Sequence, residues 1–442
     1  MGIAFSQSSD TSQSSDSSSG APQAYPGPSI LSRDRTLIGE RGGKLVDFRY
    51  FGSVTGVYDS GLTPAITNSN GKLIDVGGAE GTEITFGVDA NRQFKRDSFQ
   101  IVYRGAYRHY FNHSYFDGTD QFLDLRYGRV LTRHLTFDFK TLAGITSLAN
   151  GAFSYLPVTT NDLVAVPSNL LFDNRTYWLQ NRASLIWQKS SRLSFSGGAD
   201  QYLTRYRSNA LVGITGFGGH GDVAYRLSRR QTIFVQYSFV HYSEQRIYSS
   251  ANIHTMAAGY SLGLARDYDF SFSAGASALN YRGLEIIAVD PAIVAIIGQP
   301  TVTQSFNRST VVPYGQARLI RRFERSLVGF DASVGISPGN GVYLTSRQQA
   351  ANVFYDFKGF KRLTLGARFT YSTLSALGQS IGKYDNYQGG FGSTYRINNY
   401  LHAEFRYDYR HYTTQNAFFL KDSQRVSLGL AFSPGETPLS IW

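Results

Sequence analysis

The chain has 442 residues and a formal net charge of +11, with 30 Tyr, 31 Phe, 45 Gly and no Cys. The lack of Cys excludes disulfide bonds, thiol catalysis and Cys-ligated zinc. Abundant aromatic residues and Gly favour strands over helices. The sequence has no run of 18 apolar residues that would predict a transmembrane helix. Its length suits either two ordinary domains or one large β-architecture.

The first part of the chain differs in composition from the rest. Residues 1–43 are rich in Ser, Asp, Gln, Gly and Pro, and such a segment buries too little apolar surface to fold. We therefore predict a disordered tail over 1–43 and a folded domain over 44–442. The opening residues MGIAFSQSSD show neither the basic nor the apolar segment of a secretory signal, which counts against export.

From about residue 44 onward, the sequence alternates with a period of two. In the stretch Leu401–Tyr412, aromatic and apolar residues alternate with polar and charged ones. The polar members are His402, Glu404, Arg406, Asp408 and Arg410. This period predicts a β-strand with two unlike faces. It suits either a soluble core with one wet face or a barrel with lipid outside and a water-filled lumen inside.

The alternating pattern recurs about eighteen times. Eight pairs of long segments are joined by short basic turns, centred near residues 95, 133, 190, 229, 266, 323, 360 and 398. Eight hairpins and one further strand at each end give an even number of strands, which closes when the last strand pairs with the first. Two longer segments, 147–173 and 283–308, fall at the end opposite the short turns.

Residues 44–434 with these features resemble the porin-like class of bacterial outer-membrane β-barrels. The chain also ends in an aromatic residue, Trp442, although PGETPLSIW separates it from the last strand. The resemblance implies an all-β, closed antiparallel transmembrane β-barrel of about 18 strands in the outer membrane of a Gram-negative bacterium. It further implies outer-membrane lipid and the barrel assembly machinery as partners. A soluble β-sandwich accounts poorly for so dense a polar row on one face.

The basic excess lies in the short turns, which hold sixteen Lys and Arg residues and three acids. A basic rim suits an anionic headgroup surface, and equally it suits plain solvent. Zinc-finger spacing, RNP-type motifs and basic helices are absent from the sequence, so we predict no nucleic-acid partner. The polar faces of the strands carry nearly balanced charge. This balance predicts a lumen of paired Arg and carboxylate groups rather than a strong anion filter.

We predict that the polar faces line a lumen, where the charges either brace the inner wall or offer a path suited to sugars. The predicted lumen-lining residues are Arg49, Arg104, Arg108, Arg126, Lys140, Asp138, Arg182, Asp200, Asp222, Arg226, Arg368, Glu404, Arg406, Asp408 and Arg410.

The segments 147–173 and 283–308 are unusually apolar for exposed loops. An apolar loop in water tends to pack onto other apolar surface. We expect one or both to fold inward as a constriction or partial plug, or to pack on each other over the outer rim. The residues of the predicted constriction are Ile286, Ile287, Ile293, Ile296 and Ile297.

The sequence shows no catalytic motif of the GxSxG or HExxH type and no metal-ligand cluster. His220 and Asp222 would share one face of a strand. Side chains two residues apart on a strand are separated by about 6.5–7 Å, too far for a direct pair. We therefore predict no enzyme, no metal and no cofactor.

Together these patterns predict a channel for passive passage of small polar solutes or saccharides through a mixed-charge lumen. Two alternatives stay open: a barrel for export or anchoring of surface polysaccharide, and a structural or adhesive surface barrel without an open pore. Ion conductance in planar bilayers separates an open channel from a closed barrel.

Overall fold

The computed structural model describes residues 46–62, 76–148, 172–264, 267–288, 301–377, 382–414 and 420–434. These residues form eighteen strands and a short 3-10 helix, Ser114–Phe116. The strands are β1 (Val46–Leu62), β2 (Val76–Gln93), β3 (Asp97–Tyr110), β4 (Gly118–Val130), β5 (Leu135–Thr146), β6 (Thr176–Gln188), β7 (Leu193–Tyr206), β8 (Ile214–Ser228), β9 (Gln231–Glu244), β10 (Ser250–Leu264), β11 (Tyr268–Ala288), β12 (Thr301–Arg322), β13 (Ser326–Ser337), β14 (Ser346–Phe357), β15 (Leu363–Ala376), β16 (Lys383–Arg396), β17 (Leu401–Thr414) and β18 (Leu420–Phe432).

The strands form one closed antiparallel sheet. Each pairs with its neighbours in chain order, and β1 pairs with both β2 and β18. The closing register runs from Gly52 opposite Phe432 to Ser60 opposite Gln424. Closure matters because an open edge would leave backbone N–H and C=O groups without partners in lipid. The predicted all-β barrel of eighteen strands is confirmed. The predicted tail, residues 1–43, lies outside the described residues.

The two faces of the barrel wall differ as the alternation predicts. On β1, Tyr50, Val54 and Tyr58 are exposed on the outside, while Arg49 and Asp59 are buried on the inside. The same division recurs around the barrel, so the outside is a broad apolar surface. Such a surface is stable in contact with lipid hydrocarbon. Among the described residues, no helix is long and apolar enough to cross a membrane.

Aromatic residues cluster on the outer face at both ends of the strands. Near the short turns, the ring of Tyr50 is 6.4 Å from that of Phe432, which stacks on Tyr400 at 6.3 Å. Near the other rim, the ring of Tyr387 is 5.0 Å from that of Tyr371. Rings at these two levels correspond to the two membrane interfaces, where aromatic side chains are favoured.

One hairpin extends beyond its neighbours. β11 and β12 pair with each other as far as Ala288 opposite Thr301, whereas β10 pairs with β11 only up to Arg282. The predicted loop 283–308 is therefore too long, because its two ends belong to strands β11 and β12. The β-branched Thr and Val residues within 301–312 favour a strand. Ile286 and Ile287 of the predicted constriction belong to strand β11. Its other residues, Ile293, Ile296 and Ile297, lie outside the described part of the chain.

A buried network of charges joins the strands on both sides of the closing seam. Its members are Asp59 on β1, Glu83 on β2, Arg108 on β3, Asp120 on β4 and Arg425 on β18, all nearly inaccessible to solvent. Arg108 lies 2.9 Å from Asp120 and donates to Glu83 at 2.7 Å. Arg425 lies 3.1 Å from Asp59 and 2.8 Å from Glu83. Two guanidinium groups thus bridge three carboxylates across five adjacent strands.

We predict that Arg425→Met destabilises the barrel by about 3–5 kcal/mol, because removing one partner leaves Asp59 and Glu83 buried without their cation. The urea midpoint of unfolding in lipid vesicles measures this loss. Arg322→Met is the matched control, since its pair with Asp269 is exposed and exposed pairs contribute below about 1 kcal/mol. Equal midpoints for the two variants would contradict a stabilising role for the network.

Candidate functional site

The inner face of the barrel is the candidate site. The strand alternation places all fifteen predicted lumen residues on this face, among them Arg49, Arg104 and Arg410, which are deeply buried. Others, such as Arg126 and Arg182, are partly exposed toward the interior. That these residues line a conducting path stays a prediction.

Several arginines on the inner face pair with a neighbouring acid, and in each pair the acid is the more deeply buried partner. Nitrogen-to-oxygen distances are 2.9 Å for Arg126 with Asp124, and 2.6 Å both for Arg182 with Asp200 and for Arg406 with Asp408. In each pair the acid side chain is at most 5% exposed, whereas the arginine is 23–34% exposed. The carboxylates therefore lie against the wall, and the guanidinium groups face the interior.

The alternation alone also identifies inner residues that sequence analysis missed. These residues are Asp59, Asp120 and Arg425. Each lies two residues along its strand from another inner position, namely Val57, Phe122 and Ser427. The same alternation applies to Tyr110 on β3 and Tyr412 on β17. Both are buried on the inside.

The loop Pro338–Thr345, between β13 and β14, is called here the inner loop. Gly339 and Gly341 have φ values of +92° and +89°, which favour glycine. A Cβ added at Gly339 would lie 1.6 Å from the carbonyl oxygen of Tyr343. The side-chain oxygen of Asn340 accepts hydrogen bonds from the backbone N–H groups of Val342 and Tyr343, at 3.2 and 3.0 Å. These features fold the loop tightly upon itself.

One side of the inner loop is attached to the wall formed by β7, β8 and β9. The N–H of Val212, in the β7–β8 connection, donates to the carbonyl oxygen of Gly341 at 2.9 Å. The hydroxyl of Tyr242, on β9, donates to Thr345 Oγ1 at 2.6 Å. A side chain at position 341 would collide with the ring of Tyr206, 2.8 Å from the ideal Cβ. Backbone and side-chain contacts therefore fix this side.

The other side of the inner loop packs against β15, β16 and β17. The ring of Tyr343 is 5.7 Å from that of Tyr384, and both are buried with Leu374 and Tyr412. Burial raises the pKa of Tyr343, and the neighbouring Tyr384 and Asp385 add to this effect. Because β8 and β16 stand eight places apart in an eighteen-stranded barrel, the inner loop joins nearly opposite walls. It crosses the interior.

Sequence analysis did not predict the inner loop. Its signal is the run SPGNGVYL, in which turn-forming residues precede three apolar ones. The predicted inward segment 147–173 has described ends that lie inside: Leu148 is buried, and Phe172 packs between the two clusters that hold the inner loop. Residues 149–171 lie outside the described part of the chain.

At the end of the barrel where the inner loop lies, opposite the short turns, part of the inner face is apolar. Buried apolar side chains extend there from β3 to β13, including Phe122, Trp178, Tyr202 and Leu279. The described interior is thus divided into a polar part and an apolar part. Within the described residues, no group of three His, Asp or Glu side chains could hold a metal ion.

We predict that Asp124→Asn makes the pore more anion-selective. The substitution keeps the shape of the side chain but leaves the positive charge of Arg126, which faces the interior, without its counterion. The reversal potential under a KCl gradient measures the shift. The control is Asp385→Asn, because Asp385 lies on the outer face with Lys383 and Tyr371. A shift of the same size in the control would show that the effect does not depend on the aspartate lying on the inner face, and would contradict the prediction.

Comparison with known proteins gives matches among solved structures alone. No family model matches the chain, and no curated protein matches it. A BenF-like porin from Pseudomonas fluorescens Pf-5 is 12% identical with a TM-score of 0.42, covering 88% of this chain and 100% of its own. OccK2 (OpdF) of Pseudomonas aeruginosa, solved with glucuronate, is 11% identical with a TM-score of 0.42 and coverages of 88% and 99%. OccAB2 of Acinetobacter baumannii is 10% identical with a TM-score of 0.41 and the same coverages.

At this level of similarity the matches add nothing to the barrel already visible in the strand pairing. The assignment rests instead on the closed eighteen-stranded wall, its apolar outer face between two aromatic levels, and the charged side chains on part of its inner face. A wall with these three properties is stable with lipid outside and water inside. The chain therefore forms a closed, eighteen-stranded antiparallel β-barrel with the architecture of a transmembrane wall.

Proposed function

We propose that the protein is a channel for passive passage of small polar solutes, narrowed by the inner loop. The observation that carries the proposal is the span of this loop between nearly opposite walls, from Val212 to Tyr384. A barrel of eighteen strands encloses an aqueous channel unless loops fill it. Because the inner loop is fixed to the wall on both sides, solutes would pass through the part of the cross-section that the loop leaves open.

The polar part of the inner wall supports small polar solutes as cargo. Paired Arg and acid side chains supply both hydrogen-bond donors and acceptors, which replace part of the hydration of a sugar or a small acid. Because the arginines of these pairs extend further into the interior than the acids, we expect anions to be modestly favoured among such solutes. Passage of this kind needs no chemical step. Outer-membrane lipid and the barrel assembly machinery complete the proposed set of partners.

We predict that deleting Asn340–Tyr343 raises single-channel conductance, because the remaining four-residue connection between Ser337 and Ser346 is too short to cross the interior. Planar-bilayer recordings measure the change. The matched control is Tyr248→Ala in the β9–β10 connection at the same rim, where Tyr248 is 69% exposed. Unchanged conductance after the deletion would contradict the inner loop as the constriction.

A second candidate function is a structural barrel without an open pore. The apolar side chains on the inner face between β3 and β13 favour it, because they are buried. Side chains that lined a water-filled pore would instead be exposed to water. Recordings of the unmodified protein separate the two functions. A barrel that shows heat-modifiable gel migration and no conductance, either intact or with Asn340–Tyr343 deleted, would favour the structural role. Export or anchoring of polysaccharide would likewise show no conductance in the intact protein, but conductance would appear after the deletion.

A further inference from the structure

A chain of hydrogen bonds connects a serine, a histidine and an aspartate on the inner face of β6, β7 and β8. Ser184 Oγ is 3.0 Å from His220 Nε2. His220 Nδ1 is 2.8 Å from Asp200 Oδ2. The other carboxylate oxygen of Asp200 accepts a hydrogen bond from Arg182 Nε at 2.6 Å. Sequence analysis missed the group because it tested His220 against Asp222, on the same strand.

The contacts of the ring decide which nitrogen carries the proton. A carboxylate only accepts hydrogen bonds, so Nδ1 of His220 donates to Asp200. In the neutral ring, Nε2 is then the acceptor, and the hydroxyl of Ser184 donates to it. This order, from acid to Nδ1 and from Nε2 to hydroxyl, is the one by which a histidine activates a serine as a nucleophile.

A glycine in the middle strand makes the contact possible. Ser184, Gly198 and His220 are cross-strand neighbours on β6, β7 and β8. A Cβ at position 198 would lie 2.7 Å from His220 Cε1 and 2.1 Å from the carbonyl oxygen of Ala183. Because Gly198 has no side chain, the imidazole lies across β7 and reaches a hydroxyl two strands away. Asp200, the next inner residue on β7, then faces Nδ1.

The solvent exposure of Asp200, His220 and Arg182 suits a reaction with a solute in the interior. The Asp200 side chain is 5% exposed, whereas those of His220 and Arg182 are 18% and 30% exposed. The acid is held against the wall, and the ring faces the interior. Arg182 lies two residues from Ser184 on the same face, and Lys140 is its cross-strand neighbour on β5. Positive charge near the serine stabilises the oxyanion that forms during acyl transfer.

A second serine on the same wall provides an internal comparison. Ser196, on β7, donates a hydrogen bond to the carboxylate of Asp222 on β8. Its hydroxyl therefore contacts a carboxylate directly, without the imidazole that links Ser184 to Asp200. The two serines differ in chemistry although they occupy similar places on the inner wall.

We propose that Ser184, His220 and Asp200 form a catalytic triad that hydrolyses small, water-soluble carboxylic esters inside the barrel. Ser184 Oγ attacks the ester carbonyl carbon while its proton moves to His220 Nε2. The tetrahedral intermediate expels the alcohol, which takes that proton, and leaves an acyl group on Ser184. Water then attacks the acyl carbon and gives its proton to His220, which returns it to Ser184 Oγ as the carboxylic acid departs. Asp200 stays ionised throughout and orients the ring.

The test uses the folded full-length protein in detergent, with diisopropyl fluorophosphate as a covalent reagent and p-nitrophenyl acetate as the ester. We expect the reagent to modify Ser184, as read by peptide mass spectrometry, with loss of fluoride. Ester hydrolysis should fall to background in Ser184→Ala and by about 100-fold or more in His220→Asn. Ser196→Ala is the matched control and should retain both activities. Heat-modifiable gel migration shows that each variant has folded.

A further variant shows whether reagents reach the site. Ser184→Cys is treated with a small methanethiosulfonate. If the cysteine reacts while Ser184 in the unmodified protein neither takes the phosphoryl group nor supports hydrolysis above Ser184→Ala, the triad is inert and the proposal is wrong. If the cysteine does not react, the site is closed to solutes, and the proposal is equally wrong. Conductance is a separate measurement, so failure of the triad and failure of the channel are distinguishable.

Discussion

Closure of the sheet between β1 and β18 is the constraint on which the rest of the structure depends. In hydrocarbon, each unpaired backbone N–H or C=O group costs several kcal/mol, so a wall of strands is stable there only without free edges. The register from Gly52 to Ser60 against β18 provides this closure. The charges of Asp59, Glu83, Arg108, Asp120 and Arg425 lie directly behind it. Because these charges are buried at low dielectric, each is stable only with its partners, so the stability of the seam depends on the whole network.

Once the wall is closed, the alternation along each strand determines what faces lipid and what faces the interior. The same period of two that exposes Tyr50 and Val54 to lipid directs Arg49 and Ser53 inward. The inner surface is then shaped by side-chain size. Small residues such as Gly198 open space across which a longer side chain reaches, and large ones such as Trp178 and Tyr202 fill it.

Most of the fold could be predicted from the sequence, because a period of two and short turns are local signals. The predicted turns centred near residues 229 and 323 match the observed connections β8–β9 and β12–β13. Long-range contacts were beyond that reasoning. The inner loop was missed because its partners, Val212 and Tyr384, are far from it in sequence. The pairing of His220 with Asp200 was missed because it depends on the register between β7 and β8. Register is set by the whole sheet rather than by either strand alone.

The inner loop has a mechanical consequence as well as a steric one. A loop fixed to a single wall would move with that wall and leave the outline of the barrel free to deform. The loop Pro338–Thr345 is instead attached to β9 through Tyr242 and packed against β16 through Tyr384. It therefore acts as a strut across the section, and flattening of the barrel along that diameter compresses or stretches it. The stiffness of the wall and the shape of the interior are consequently coupled, so a change in one is transmitted to the other.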